Sequence, residues 1–396
     1  MNAAWSSAAW IVFVKECRES LRDRRVLINA LLLGPLLGPL LFAGLLRLTI
    51  TRQLSQAQRP LTVAVIGAQR APNLIAALEQ QGLKLLPPVS DPEGAVRAQR
   101  LALALRIDPS YAADWRAGRP AQVDIIYDSS RRDTGAALQR LEGMLDAYSR
   151  RTAAMRLMVR GLAPTLLAPV VLGARDQATP QARGALLFAM LPYFLIFSAL
   201  IGSMWLAIDS TAGERERASL EPLLTNPVPR DRILLGKVLA TAAFGLASLA
   251  LALVAFAVAG AFLPAHQLGM NLRLGPQIMA TILPVMIPLV LLLAVGQVLA
   301  TAFSKSAREA QTYLSLLQLM AVIPSVVLSL LPIREQLWMY AVPLLGQQLT
   351  IMDLLRAEPL GALNVALCAL VTLLVAAAAF WAARRNYQSE RLAISG

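Results

Sequence analysis

Six runs of the chain carry no Asp, Glu, Lys or Arg: 26–46, 184–208, 238–265, 274–304, 310–333 and 359–383. At about 1.5 Å of rise per residue, each is long enough to cross a hydrocarbon core of roughly 30 Å as a helix. Each run therefore predicts one membrane span. Pro35 and Pro39 bend the first, and 274–304, longer than a span requires, tilts or kinks at Pro284 and Pro288.

The polar stretches between the runs have patterns of their own. Residues 5–24 place Trp10, Phe13, Val14, Cys17 and Leu21 on one helical stripe with Lys15, Glu19, Arg22 and Asp23 opposite. This is the pattern of an amphipathic helix lying on the membrane surface. From Thr51 to Arg183 charge rises, and the β-branched or apolar runs 62–66, 101–107 and 123–127 alternate with the helical stretches 72–81 and 92–100. That alternation predicts an α/β domain. Its last helix sets Leu138, Leu141, Leu145, Tyr148, Thr152, Met155, Val159 and Leu162 on a heptad seam that covers its own sheet or a second copy, the former preferred. Residues 336–352 are apolar but too short to span, and lie in the outer interface or dip in and return. Gln347, Thr350 and Asp353 recur there every third residue on the outer side.

The stretch 209–237 is different in kind. It carries Asp209, Glu214, Glu216, Glu221 and Asp231 against Arg215, Arg217, Arg230, Arg232 and Lys237, and is too charged to sit in lipid. Leu220, Leu223 and Leu224 share one helical face while Glu214, Arg217 and Glu221 line another, so a short amphipathic helix is expected before Pro227 and Pro229.

Composition narrows the function. With 57% hydrophobic and 15% charged residues the chain is a membrane protein, and its formal charge of +13 comes with no basic-aromatic patch for nucleic acid. Cys17 and Cys368 offer no disulfide framework, and the single histidine, His266, leaves no His-pair metal site or Ser/His/Asp triad. No glycine-rich phosphate loop occurs; Gly236-Lys237 lacks the upstream glycine, so this chain binds no ATP and no cofactor of its own. Lys and Arg concentrate in the N-terminal segment, in 209–237, in 305–309 and after Arg384, which places those segments and both termini in the cytoplasm and the 51–183 domain outside.

Within the spans, Gln311, Ser315, Gln318, Ser325 and Ser329 align on one face of the fifth, Ser198, Gly202 and Trp205 on the second, and Gln297, Thr301 and Ser304 at the end of the fourth. These rows act as glue between helices or line a pathway. No carboxylate lies inside a span, which argues against a route for dehydrated sodium or protons.

The order Gly213, Glu214, Arg215, Glu216, Arg217, Leu220, Glu221, Leu223, Leu224, Pro227, Val228, Arg230, Ile233, Gly236, Lys237 resembles the cytoplasmic loop of NatB-type permeases of ABC transporters. The segments 15–42 and 342–355 resemble the same family in their places. The resemblance implies a mainly α membrane protein: an interfacial helix (1–25), a first span (26–48), an extracytoplasmic α/β domain (49–183) and five further spans (184–396) around a coupling loop (209–237). It implies a permease subunit in the bacterial inner membrane that exports sodium or an amphiphilic, lipid or drug-like substrate and works as a dimer. A separate NatA-like ATPase holds ATP and magnesium. On this reading Glu214, Arg215, Glu216, Arg217, Leu220, Glu221, Leu224 and Arg230 dock on the ATPase, and the rows on the second and fifth spans flank the route. The alternative is a membrane-anchored sensor or assembly protein with a ligand-binding outer domain.

Overall fold

The computed structural model describes residues 2–58, 60–131, 134–167, 170, 173, 175–217, 219, 228–263, 274–330 and 334–388. The chain divides into two units, Met1–Arg52 with Gln177–Gly396, and Gln53–Asp176. Among the described residues six helices are long and apolar enough to cross a membrane: Ile28–Arg52, Leu191–Glu216, Arg230–Ala261, Pro276–Ala302, Ala307–Leu328 and Ala362–Arg385.

The first helix, α1 (Asn2–Arg22), ends before Asp23. After a single turn, Arg24–Leu27, the chain widens into a π turn over Ile28–Leu33 in which the Gly34 amide reaches back to the Asn29 carbonyl, and then runs as α2 (Gly34–Gln58). Pro35 explains the widening: it has no amide to give, and its ring would press on the Leu31 carbonyl in a regular helix.

The second unit follows as β1 (Leu61–Ile66), α3 (Pro72–Gln80), β2 (Leu83–Leu86), α4 (Pro92–Arg97), β3 (Leu103–Ile107), α5 (Tyr111–Arg116), β4 (Val123–Tyr127) and α6 (Thr134–Val159). The sheet order is β2-β1-β3-β4, with β1 parallel to β2 and β3 and β4 antiparallel to β3. Val63, Ala64 and Val65 on β1 and Leu103, Ala104 and Leu105 on β3 are buried without alternation, as strands covered on both faces are. β2 was not legible in the pattern, because its Leu-Lys-Leu-Leu is half exposed and bounded by no β-branched residue. The α6 seam splits: Leu141 is buried and Leu138, Leu145 and Tyr148 pack on the sheet's core. Met155, Val159 and Leu162 are 46%, 90% and 47% exposed.

In the membrane unit, α7 (Pro180–Leu187) and α8 (Leu191–Ile208) are separate helices with a break at 188–190, where the sequence pattern assigns one span. A further difference lies at the other end of α8. The helix does not stop at Ile208 but continues through a π turn, Asp209–Gly213, and one more turn, Glu214–Glu216. Then come α9 (Arg230–Ala261), α10 (Pro276–Ala302), α11 (Ala307–Leu330), a turn at Leu337–Tyr340, α12 (Leu345–Arg356) and α13 (Ala362–Gln388).

Helix α8 is the centre of this unit. Leu191, Leu195, Ile196, Leu200, Leu206 and Ala207 are fully buried, and the helix touches α9, α10 and α11. It meets α9 at Gly202, where an added Cβ would collide with the Ser248 side chain. Small residues allow the backbones this approach, and close packing is what holds helices together in a solvent as apolar as they are.

Helix α12 reverses an expectation. Gln347, Thr350 and Asp353, assigned by spacing to an outer side, are 0%, 1% and 7% exposed, because α12 packs among α7, α10 and α13. Gln347 Nε2 donates to Thr372 Oγ1 at 2.8 Å, Tyr340 Oη to Asp353 Oδ2 at 2.8 Å, and Thr350 Oγ1 to the Gly346 carbonyl of its own helix.

Candidate functional site

The conspicuous chemistry of the membrane unit is a group of charges where α1, the end of α8 and the start of α9 converge. Helix α1 lies on α9 with Ala9, Val12, Glu16 and Ser20 buried, a side that falls between the apolar and polar stripes of its sequence. Trp10, Ile11 and Leu21 stay exposed. Gly236 makes the contact possible, since a Cβ there would stand 2.7 Å from the Ala9 carbonyl oxygen and from Val12 Cβ.

Gly236 is followed by Lys237, which has no exposed surface at all. Its Nζ donates to Glu214 Oε2 at 2.6 Å, to Glu16 Oε1 at 2.9 Å and to the Ser210 carbonyl. The other Glu214 oxygen, Oε1, accepts from Lys15 Nζ at 2.7 Å. Glu214 and Glu16 are 4% and 3% exposed. Among the described residues two ammonium groups therefore face two carboxylates, and opposed charges of this kind are the condition under which buried ions are tolerated. Burial alone would lower the Lys15 pKa. The bond to Glu214 and the charges of Glu16, Glu214 and Glu19 outweigh it and hold the ammonium above the usual lysine range.

The next residues reach elsewhere. Arg215 donates to the carbonyls of Ala302 and Ser304 at 2.9 and 3.0 Å, where the end of α10 leaves carbonyls without helical partners. Glu216 accepts the Ala307 amide at 3.2 Å, at the start of α11. Arg217 turns back to Asp209 at 2.8 Å, across the π turn. Four consecutive charged side chains thus tie the end of α8 to α1 and α9, to α10, to α11 and to itself.

This revises the sequence assignment in one respect. Glu214 and Arg215, grouped there with charges that meet a partner, are committed inside the chain, Glu214 by both oxygens. Glu216 and Arg217 are exposed, and Arg230, the first residue of α9, is half-buried. Leu220, Glu221 and Leu224 lie outside the described residues. The pattern set Lys15 on the polar stripe of the first helix and Lys237 at the close of the loop motif but did not bring them together, and it gave no place to Glu16; the available signal was a loop motif that closes on Gly-Lys.

The intramembrane rows resolve differently from one another. Ser198 is a helix tie: its Oγ lies 2.9 Å from Ser248 Oγ and donates to the Ser248 carbonyl at 3.1 Å. Gln297 joins α10 to α8 through Ser203 Oγ at 2.7 Å and the Leu200 carbonyl at 2.8 Å. On α11, Gln318 reaches Met204 Sδ at 3.3 Å, whereas Gln311 and Ser315 are exposed on the single chain. The side chains of Ser325 and Ser329 lie outside the described set. Trp205 is half-buried and lines a cavity of about 600 Å³ with Val26, Ile28, Ile208, Asp23 and Asp209.

Comparison with known proteins agrees with this layout. Residues 10–367 match the model of the ABC-2 family transporter proteins. The chain is 27% identical over 317 residues, 79% of its own length and 80% of the relative's, to the ABC transporter permease protein NatB of Bacillus subtilis (strain 168). With six apolar helices, a charged loop base joined to four of its neighbours and a family match that runs over most of its length, this chain belongs to the ABC-2 transporter family and has the form of a membrane permease subunit.

Proposed function

We propose that the chain is the membrane half of an ATP-driven exporter in the bacterial inner membrane, working as two copies with a separate ATPase that carries ATP and magnesium. Both termini and the 209–237 loop face the cytoplasm and the sheet unit lies outside. The observation that carries the reading is the charged base of the loop. A displacement of Glu214, Arg215 and Glu216 is carried by their own hydrogen bonds to α1, α9, α10 and α11.

The ATPase then meets the segment beyond this base, with Leu220 and Leu224 filling an apolar cleft and Glu221, Glu216 and Arg217 setting register. The size of the cavity beside Trp205, and a lining that sets Val26, Ile28 and Ile208 beside Asp23, Asp209, Glu216 and Arg217, suit an amphiphilic or drug-like substrate. The test is co-purification and ATPase activity of the reconstituted pair. Glu221→Arg with Leu224→Asp is expected to release the ATPase from a permease that still folds and inserts. Wild-type yield of the complex from that variant would return the loop to a solvated linker.

A further inference from the structure

We propose that the cleft beside Trp115 in the sheet unit is a binding site for a small organic anion with a flat apolar body, its acid group held by Arg156. The inference stands on this unit alone and does not depend on the transport reading.

The cleft has a volume of about 380 Å³ and opens between α5, the 119–123 segment and α6. That is within the range of small-molecule sites, which are mostly apolar with a few placed polar groups. One wall is a rigid aromatic row. Tyr111 stacks on Trp115 with centroids 5.7 Å apart at 14°, and Trp115 on Tyr148 at 5.7 Å and 18°. Leu145 and Val123 continue the apolar lining, and Ser149 and Thr152 bring hydroxyls from α6.

Arg156 is the unusual member. Its guanidinium carbon lies 4.4 Å from the centre of the Trp115 ring, and Nη2 donates to the Trp115 carbonyl at 2.9 Å. Among the described residues no carboxylate meets it. The nearby acids are engaged elsewhere, Asp114 with Arg119 at 2.7 Å and Asp146 with Arg150 at 2.9 Å. A ring face and a carbonyl compensate a half-buried cation only in part, whereas a carboxylate does so through charge-assisted, often paired hydrogen bonds.

Arg119 and Asp146 also line the cleft, Asp146 paired with Arg150. On the other side of the aromatic row a smaller hollow of about 210 Å³ is lined by Arg70 and Arg116, and Arg70 spends its hydrogen bond on the Ile107 carbonyl. Both hollows share Tyr111, Trp115 and Tyr148. An apolar slot beside cations with spare donors selects an aromatic or short aliphatic acid over the matching amide or amine.

The experiment uses the full-length permease in lipid nanodiscs and calorimetric titration with 2-naphthoate and its uncharged match, 2-naphthamide, with empty nanodiscs subtracted. Saturable binding of naphthoate is expected, about ten-fold or more tighter than the amide, a difference of about 1.4 kcal/mol. Arg156→Met should remove the preference for the acid. Thr152→Trp, which fills the slot and leaves Arg156 in place, should abolish binding of both. Equal affinity of the wild type for the two probes, no saturable binding, a preference for the acid that survives Arg156→Met, or naphthoate binding that survives Thr152→Trp would show that Arg156 only packs against Trp115 and would overturn the site.

Discussion

The base of the charged loop and the exposed face of α11 are both polar rows read from the same sequence, yet they meet opposite fates. At the loop base every charge from Glu214 to Arg217 finds a partner within the chain, and Lys237 is sealed from solvent. On α11, Gln311 and Ser315 are left open, and so are Leu316, Leu319, Met320 and Ile323 beside them. The first region is finished by one chain. The second is unfinished: Ser315 donates its hydroxyl back to the Gln311 carbonyl at 2.8 Å, but among the described residues nothing meets the Gln311 side-chain amide, and in hydrocarbon such a group needs a partner. A second permease copy is the occupant that the proposed assembly supplies.

The largest effect that would break this contrast is at Lys237. Lys237→Met leaves Glu16 and Glu214 buried with only Lys15 between them, and removal of one member of a buried ion group costs about 3–5 kcal/mol. The folded yield in detergent should fall sharply. Adding Glu16→Gln to that variant should restore part of it, since the orphaned charge is then gone; no recovery would mean that the cluster is not the source of the loss.

Next in size is Arg215→Met. It removes the two hydrogen bonds that Arg215 gives to carbonyls at the end of α10, and since the guanidinium goes with them no buried charge is left orphaned. The permease should still fold, with the ATPase bound but no longer stimulated by substrate. Preserved stimulation would detach the loop base from coupling.

A pH effect tests whether α12 also belongs to the finished part. Burial pushes the Asp353 carboxyl up to about 6; the Tyr340 hydrogen bond offsets this in part, and Glu335 and Glu358 add to it. A folded-state value above the unfolded one, about 3.9, means that this group favours the fold most at low pH. That contribution is lost as pH rises from about 4 through about 6. Thermal midpoints measured across that window should fall with rising pH in the wild type and flatten in Asp353→Asn.

The smallest expected effect sharpens the other side of the contrast. Gln311→Leu with Ser315→Ala should leave the single chain as stable as before while weakening self-association, by about 0.6 kcal/mol for each interhelical hydrogen bond lost. Single-molecule photobleaching of the labelled permease in dilute lipid would read it. Unchanged pairing would move the contact to another face.

What could be read in advance follows a physical rule. The spans, the strands β1, β3 and β4 and the motif at 213–217 were visible because they rest on local signals: apolar length, β-branched runs and charge spacing. Helix α8 ran past its expected end because Asp209 and Arg217 neutralise each other across the π turn, a pairing that apolar length cannot register. Glu16, 221 residues from Lys237, drew no assignment, and Asp353, buried by helices distant in sequence, was given the wrong side, because their surroundings are assembled only by the fold. The four charges at the loop base were found as a motif, but which way each points was not.

The sealed lysine also bears on how the molecule is made. Glu214 precedes Lys237 by 23 residues, so that pair forms as the third span is laid down. Glu16 has by then waited while two spans and a whole folded unit passed. A newly inserted chain whose N-terminal helix ended up on the wrong side of the bilayer would hold Lys237 and Glu16 apart, with an unanswered charge at the root of the loop. The bond between Glu16 and Lys237 thus closes late in synthesis, and only in a chain that has both residues on one side of the bilayer.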